Sequence, residues 1–202
     1  MDDAPPTDAS PKTSSPEDLP LDALQERLER GDETAFEHIF RRLSEPIFRF
    51  VCSMVQDEAL AHDLTQDTFA KLWSIRDRLD TISSLRSYVF QMARHRVYNH
   101  QRTEEVRRDN QAELKELHPD ASPPAPDRTL DAQMLQELLE EWVEELPTRQ
   151  REALSLRRQD HLSHDEIAEV MDISPKTVNN HLVRAMKHLR RRLHNHRPDL
   201  RS

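Results

Sequence analysis

Residues 174–187 combine amide, hydroxyl and cationic side chains at a spacing that could read a DNA duplex. Apolar residues recur at helical spacing from Val178 to Leu189, which predicts one buried face. The candidate DNA-binding residues are Ser174, Lys176, Thr177, Asn179, Asn180, His181, Arg184 and Lys187. Amides can pair with base edges in the major groove, whereas cations can bind phosphates and guanine. The pattern predicts a helix that recognises duplex DNA.

Two helices joined by a short turn must hold this polar face in place. Ser163 and Glu166 have the spacing of a capping box, which predicts the start of the first helix. The apolar period then breaks, and Ser174 followed by Pro175 predicts a new helix start. Glycine usually occupies such a turn in a left-handed conformation, and Asp172 stands there instead. The arrangement predicts a helix-turn-helix.

The C-terminal charge distribution favours DNA binding over an ordinary two-helix hairpin with a solvated polar face. The whole chain is acidic, with a formal net charge of −9. Residues 176–201 nevertheless contain eight lysines and arginines and a single acid, Asp199. A local cationic concentration of this kind is an electrostatic footprint for phosphate. The plain hairpin is the alternative at this point.

A second cluster of polar side chains lies in the segment DLTQDTFAKLW, residues 63–73. Its leucine and aromatic residues can pack inward, whereas Asp63, Gln66 and Asp67 share the outward side. Taken alone, such side chains are more typical of a solvated helix face than of a binding site.

A third set interleaves cations with aromatic rings between residues 76 and 102. The candidate nucleic-acid-binding residues are Arg86, Tyr88, Arg94, His95, Asn99 and Arg102. Bases of a single strand can stack on aromatic rings while guanidinium groups meet the phosphates. The equally weighted alternative is that Tyr88 and Tyr98 edge the core and that the arginines only cover the surface.

Composition predicts an all-α chain of two small helical domains joined by a flexible linker. The 202 residues include a single glycine, few aromatics and many helix-forming residues. The lone cysteine, Cys52, lies in an apolar helical pattern, which fits a buried thiol in a reducing cytosol better than a redox sensor. No apolar run reaches membrane-spanning length, so we expect a cytoplasmic protein.

Shifts in composition also divide the chain into segments. Residues 1–18 are rich in proline, serine and acids and predict a disordered tail. Helical patterns fill 19–102, with expected breaks at Gly31 and at residues 44–46. Residues 103–129 contain the Pro-rich HPDASPPAPDR and predict a linker, whose charged first part can extend the preceding helix. The second domain, with the helix-turn-helix, is predicted over 130–195, and a basic tail over 196–202.

The order of these motifs closely resembles that of bacterial RNA polymerase sigma factors of the extracytoplasmic-function (ECF) group. The motifs are DLTQDTFAKLW, SLRSYVFQMARHRVYNHQR, a Pro-rich linker, ELPTRQREAL and the helix-turn-helix. The resemblance covers about residues 22–102 and 130–193 and implies the second and fourth sigma domains. It also implies a non-enzymatic subunit that binds core RNA polymerase and directs promoter-specific initiation, with promoter DNA and an anti-sigma factor as further partners.

The resemblance assigns a role to each candidate set. The polymerase-binding set is Asp63, Gln66, Asp67, Leu72 and Trp73, which in the family docks on the clamp helices of the polymerase's largest subunit. Residues 81–102 would melt the −10 element and capture an unpaired base, and residues 174–187 would read the −35 element. Tyr88 replaces the usual tryptophan and His95 the usual asparagine, which leaves the −10 base preference open.

Two other functions fit parts of the sequence. A stand-alone helix-turn-helix regulator would explain SPKTVNNHL but neither of the other motifs. A sigma-like decoy for an anti-sigma factor would be expected to lose the recognition-helix cations, yet Lys176, Arg184 and Lys187 are present. The target promoters, the inducing signal and the identity of any anti-sigma factor are not encoded in these patterns.

Catalysis is not expected from this sequence. It contains no glycine-rich phosphate loop, no nucleophile motif and no metal-spaced Cys/His set. His188, His194 and His196 could suggest a metal site, but their arginine-rich surroundings favour a phosphate-facing tail. We therefore expect no cofactor and no metal.

Overall fold

The computed structural model describes residues 19–110, 131–160 and 162–196, with side chains for 19–107, 134–158 and 162–196. Every regular element in these ranges is helical, which confirms the all-α prediction. The helices are α1 (Leu21–Glu29), α2 (Glu33–Val55), α3 (Glu58–Ser74), α4 (Leu85–Asn110), α5 (Asp131–Glu144), α6 (Thr148–Asp160), α7 (His164–Met171) and α8 (Pro175–His196), with one 3-10 turn at Arg76–Arg78.

Two helices in the first half of the chain begin at aspartate caps. The Asp32 carboxylate accepts hydrogen bonds from the backbone N–H groups of Thr34 and Ala35 at the start of α2. Asp57 accepts from the N–H of Leu60 at the start of α3. Gly31, with φ +82°, follows α1 in the left-handed conformation that glycine adopts without strain.

The predicted break at residues 44–46 is wrong, because α2 runs without interruption from Glu33 to Val55 with Pro46 inside it. Proline removes one backbone hydrogen bond and usually costs about 3 kcal/mol in a helix interior. Leu43 and Ile47 on either side of it are buried in the core. Packing along the whole of α2 therefore outweighs the local penalty.

The core is continuous across the two predicted domains. Helix α2 packs against α1, α3 and α4 of the first unit and also against α6 of the second. Helix α7 packs against α4, so the second unit lies on two helices of the first. Buried apolar residues from both units, including Phe50, Phe90, Leu156 and Ile167, belong to one cluster.

The predicted helix-turn-helix is present in α7 and α8. Ser163 and Glu166 form both hydrogen bonds of a capping box at the start of α7. Asp172 ends α7 in the left-handed conformation, with φ 54° and ψ 52°. The Ser174 hydroxyl then accepts a hydrogen bond from the N–H of Thr177 at the start of α8.

Several sequence predictions fall outside the described residues. They concern the tail over 1–18, the Pro-rich part of the linker within 111–130, and residues 197–202. The charged segment after residue 102 extends α4 to Asn110, as the sequence allowed. None of the described helices is both long and apolar enough to cross a membrane.

The left-handed residue in the turn generates a stability prediction. An L-residue in this conformation loses about 1 kcal/mol, and glycine avoids that penalty. Asp172→Gly should therefore raise the free energy of unfolding by up to about 1 kcal/mol, whereas Asp172→Ala should lower it. Urea unfolding of both variants measures the difference. Equal stability of the two variants would contradict a strained turn.

Candidate nucleic-acid and polymerase interfaces

The recognition helix α8 presents most of the predicted DNA-reading face to solvent. Val178, Leu182 and Ala185 are buried against the rest of the second unit. The exposed side chains on the opposite side are Lys176, Asn179, Asn180, Arg184 and Lys187. Amide donors and cations therefore lie together on one accessible surface of the helix, as the sequence predicted.

Three residues of the predicted set differ from this arrangement. Ser174 and Thr177 are bound to each other, with their side-chain oxygens 2.9 Å apart in the α8 cap. His181 is less outward than predicted, because this side chain is half-buried and its Nδ1 atom is buried. At about 100° per residue, position 181 lies beside the buried stripe of Val178 and Leu182 rather than opposite to it.

Three residues in the C-terminal half of α8 contact α5 or Glu145, the residue that follows it. The Arg192 Nε atom donates to Glu145 Oε2 at 2.8 Å, and this hydrogen bond lowers the pKa of Glu145. His188 Nε2 lies 3.5 Å from the same carboxylate, and the His196 ring packs edge-on against Trp142. Within the described residues, no group of three histidines, cysteines or acids could hold a metal.

The aromatic and cationic residues of α4 lie on two different sides of the helix. Four residues lie on one side of α4. Viewed down the axis of a helix with 3.6 residues per turn, their positions fall within about 60° of one another. They are Tyr88, His95, Asn99 and Arg102. The first is half-buried and the other three are exposed. We call these four residues the α4 stripe.

Arg94 does not belong to this stripe, and in this conformation its side chain is not accessible to DNA. The side chain is 7% exposed and forms an ion pair with Glu152 on α6, which is fully buried. Position 94 points about 100° away from the stripe, because its neighbour His95 lies on the stripe. Arg94 therefore joins the two units of the chain.

Glu152 is the centre of a polar cluster between the units, which we call the Glu152 cluster. Besides Arg94, it accepts hydrogen bonds from the Tyr98 hydroxyl at 3.1 Å and from Arg149 at 3.4 Å. The Arg94 and Arg149 guanidinium groups lie over the Tyr98 ring at 4.7 and 5.4 Å from its centroid. Burial, followed by the Glu152 charge, raises the pKa of the Tyr98 hydroxyl.

Two further contacts extend this junction between the units. Ser53 on α2 donates to Ser155 on α6 at 3.0 Å. Gln91 on α4 donates to the carbonyl of Glu169 on α7 at 3.4 Å. Arg86 on α4 also interacts electrostatically with Glu166 on α7.

A pocket of about 280 Å³ lies between the start of α4 and the preceding loop. Its lining residues are Thr81, Ile82, Ser83, Ser84, Ser87, Tyr88, Gln91 and Glu169. The Ser87 hydroxyl is buried and has no hydrogen-bond partner in the described structure. Buried hydroxyl groups usually have a hydrogen-bond partner, so Ser87 is unusual among these lining residues. Glu169 of the second unit contributes one side of the pocket.

A groove of about 470 Å³ separates α2 from α5 and α6. Phe48, Cys52 and Val143 supply apolar lining, and Arg49 and Glu144 are among the charged residues around it. Burial, together with nearby acids, raises the pKa of the Cys52 thiol. A raised pKa disfavours the reactive thiolate, which agrees with a structural cysteine.

On α3 the predicted outward cluster is exposed. Asp63, Gln66 and Asp67 all face solvent, and Asp67 accepts an ion pair from Arg96 at 3.3 Å. The direct polymerase contact predicted for Leu72 is wrong, because this side chain is 0% exposed and belongs to the core. Trp73 is half-buried, with the Arg76 guanidinium 4.3 Å from its ring centroid.

The sequence reasoning missed Glu152 and Ser87. Glu152 precedes Leu156 by four residues, so helix periodicity places its carboxylate on the buried face of α6. The sequence could therefore have predicted a buried carboxylate that needs a partner. It could not have identified the partner, because that depends on packing between the units. Ser87 carries no comparable signal, because serine is frequent near helix starts.

Family models and solved structures agree with these two units. The model described as Sigma-70 region 2 matches residues 39–107, and that described as Sigma-70, region 4 matches residues 136–189. Together these ranges cover more than half of the chain. The chain belongs to the sigma-70 family of RNA polymerase sigma factors, in its ECF group. It is thus a promoter-recognising sigma factor.

Curated relatives and solved structures cover most of this sigma factor. RNA polymerase sigma-H factor of Pseudomonas aeruginosa is 27% identical over 80% of the chain and 88% of that protein. SigM of Bacillus subtilis, an ECF sigma factor, is 27% identical over 76% of the chain and 92% of its own length.

Two solved sigma factors share the fold: CnrH in complex with the cytosolic domain of CnrY, and RpoE of Bartonella quintana in complex with the anti-sigma factor NepR. CnrH has a TM-score of 0.62 and 21% identity, covering 89% of this chain and 97% of its own. RpoE has a TM-score of 0.64 and 23% identity, covering 78% and 96%.

The Glu152 cluster generates a prediction about stability. Glu152→Leu leaves the Arg94 guanidinium buried without its carboxylate, and breaking a buried pair in this way costs about 3–5 kcal/mol. Adding Arg94→Met removes the stranded charge and should restore most of the loss. Urea unfolding of the single and double variants measures both effects.

The exposed ion pair of Glu37 with Arg41 provides the control for this cycle. Glu37→Leu should change the unfolding free energy by less than about 1 kcal/mol. A Glu152→Leu variant no less stable than this control would show that the cluster does not hold the units together.

Proposed function

We propose that this sigma factor reads the −35 element as duplex with the exposed face of α8 and the −10 element as a single strand with the α4 stripe. The observation that carries the proposal is the presence of both surfaces in one chain. The α8 face has the amides and cations of major-groove recognition. The α4 stripe has an aromatic ring beside cationic and amide groups, which suits an unwound strand.

The pocket beside Tyr88 is our candidate receptor for an unpaired −10 base. Its position at the start of the α4 stripe supports this assignment, because a strand following the stripe reaches it. The unpaired Ser87 hydroxyl can form a hydrogen bond with a base edge. The Tyr88 ring borders the pocket and offers a stacking surface.

Both promoter elements cannot be bound while α7 rests on α4. Elements at −35 and −10 lie about 25 base pairs apart, or roughly 85 Å of duplex at about 3.4 Å per base pair. Packed helices have axes only about 8–10 Å apart, and α7 packs directly against both α4 and α8. We therefore infer that the units separate on promoter binding, which also releases Arg94 and opens the pocket on its Glu169 side.

For polymerase docking we propose the exposed side of α3, with Asp63, Gln66 and Asp67 as the contacting polar residues. Their exposure on one face supports an interface with a basic surface. Trp73 can contribute its accessible edge. Leu72 acts from inside, because it packs the helix that displays the other residues.

We further propose that an anti-sigma factor holds this protein, because RpoE of Bartonella quintana is bound by the anti-sigma factor NepR. The groove between α2 and α6 lies where the two units meet, so a bound partner there would influence their separation. The proposed role places the protein with the polymerase in the cytoplasm. The protein itself would perform no catalysis, and RNA synthesis belongs to the core enzyme.

Run-off transcription with purified core RNA polymerase tests the proposed function. A genomic fragment library supplies promoters, and transcripts should start at defined sites only when the full chain is present. A stand-alone regulator would bind DNA without supporting initiation by core enzyme. A decoy would bind neither polymerase nor promoter, so either pattern would contradict the proposal.

Charge reversal on α3 tests polymerase docking. The double variant Gln66→Lys/Asp67→Lys should weaken core binding on the order of tenfold, because like charges then oppose a basic surface. The matched control Glu37→Lys/Glu45→Lys reverses exposed acids on α2 and should bind normally. Affinity is measured with labelled protein, after circular dichroism shows equal helicity. Equal loss in both variants would remove the assignment to α3.

Alanine variants of the α4 stripe test −10 melting. Tyr88→Ala/His95→Ala/Arg102→Ala should retain core and −35 duplex binding but reduce promoter opening on the order of tenfold or more, because stacking stabilises unpaired bases by about 1–3 kcal/mol each. Permanganate footprinting reports the unpaired thymines. Arg107→Ala removes a cation from the same helix but off the stripe, and should open promoters normally. Normal bubbles with the triple variant would exclude this role.

A further inference from the structure

Val183 places an aliphatic side chain in solvent on the most polar surface of the second unit. It is 57% exposed, whereas Leu182 beside it is buried. The other large exposed hydrophobic residues of the described chain are Phe40, Val106 and Met186. Phe40 packs its ring against Phe69 at 4.9 Å. Val183 has no aromatic partner of this kind, and the apolar side of its own helix faces the other way.

The position of Val183 lies within the DNA-reading face rather than beside it. It follows Lys176 by seven residues, which returns a helix to within about 20° of the same direction. Asn180 precedes it by one turn and Lys187 follows it by one turn, and both are exposed. A duplex that approaches these two residues closely must also cover Val183.

The major groove offers one apolar group that such a side chain can meet, the 5-methyl group of thymine. We propose that Val183 is a specificity-determining residue that recognises a thymine methyl in the −35 element. This inference rests on the proposed function, since it requires α8 to enter the groove. The amides of the same face supply hydrogen bonds, and Val183 supplies the apolar contact.

The surroundings of Val183 favour DNA over a protein partner. Its exposed neighbours are the amides of Asn179 and Asn180, the cations of Arg184 and Lys187, and Met186 one turn farther along the helix. Exposed apolar patches that mark protein-interaction sites are contiguous and extend over more than a few hundred Å². Met186 is the other exposed apolar residue of α8, and it lies toward the edge of the face, about 100° from the direction of Asn180 and Lys187.

The register along the helix indicates where the thymine lies. Val183 is about 4.5 Å farther along the α8 axis than Asn180, at about 1.5 Å per residue. One base pair occupies about 3.4 Å. If Asn180 pairs with an adenine, the thymine that Val183 contacts belongs to that base pair or to the next one.

Deoxyuridine substitution tests this contact, because it removes only the methyl group of thymine. A −35 site is first selected from a randomised duplex library with the full chain bound to core polymerase. Each thymine in the site is then replaced by deoxyuridine, and affinity is measured by competition. At one thymine the wild type should lose on the order of fourfold, the factor that corresponds to about 0.8 kcal/mol for one buried carbon group.

The matched variants make the result specific to Val183. Val183→Ala should bind the thymine duplex less tightly and show no further loss with deoxyuridine at that position. Met186→Ala should keep the wild-type sensitivity. Val183→Ala with undiminished deoxyuridine sensitivity, or a wild type indifferent to every methyl group, would overturn the proposal. Failure of the proposed function would differ, because no −35 sequence would then be selected.

Discussion

The buried carboxylate of Glu152 constrains the whole arrangement, because a charge without solvent requires donors close to it. Arg94 and Tyr98 of α4 and Arg149 of α6 supply those donors. A buried ion pair of this kind adds little net stability over a well-packed apolar contact, but losing one partner is costly. Its physical effect is therefore to specify one mutual position of α4 and α6. The apolar contacts of α2 with α6 and of α4 with α7 fill the space around it.

In this arrangement the two proposed DNA-binding surfaces differ in how accessible they are to DNA. The face of α8 is accessible, whereas α4 has its stripe accessible but Arg94 and Tyr98 engaged with α6. The pocket beside Tyr88 is bordered by Glu169 of α7. Since the promoter elements are too far apart for a closed chain, separation of the units would also release Arg94 and Tyr98 and open the pocket on its Glu169 side. The interface thus combines a polar cluster around Glu152 with apolar contacts that continue the core of the first unit.

Local features of the fold were predictable from the sequence because they depend on neighbouring residues. The caps at Asp32, Asp57 and Ser163 and the turn at Asp172 follow from residue type and position. Pro46 misled the prediction, because its cost is local and its compensation is packing along α2. Helix periodicity also located the exposed sides of α3 and α8 correctly.

The errors in the candidate sites have a different origin. Leu72 was assigned through a family motif, whereas Arg94 and His181 were chosen by residue type within a helical segment. Neither route gives the direction of an individual side chain. Helix geometry separates His181 from Asn180 and Arg94 from His95. The partner of Arg94 could not be derived from sequence patterns, because Glu152 lies 58 residues away and on the other unit.

A reversible cross-link between the units tests the central claim, that this sigma factor must open to work. Ser53 and Ser155 lie on opposite sides of the junction with their hydroxyl oxygens 3.0 Å apart, so cysteines there are placed to form a disulfide. The measurement is run-off transcription by Ser53→Cys/Ser155→Cys in a Cys52→Ser background, oxidised and then reduced. We predict rapid cross-linking, loss of transcription in the oxidised protein and recovery on reduction. Full transcription by the cross-linked protein would contradict the account.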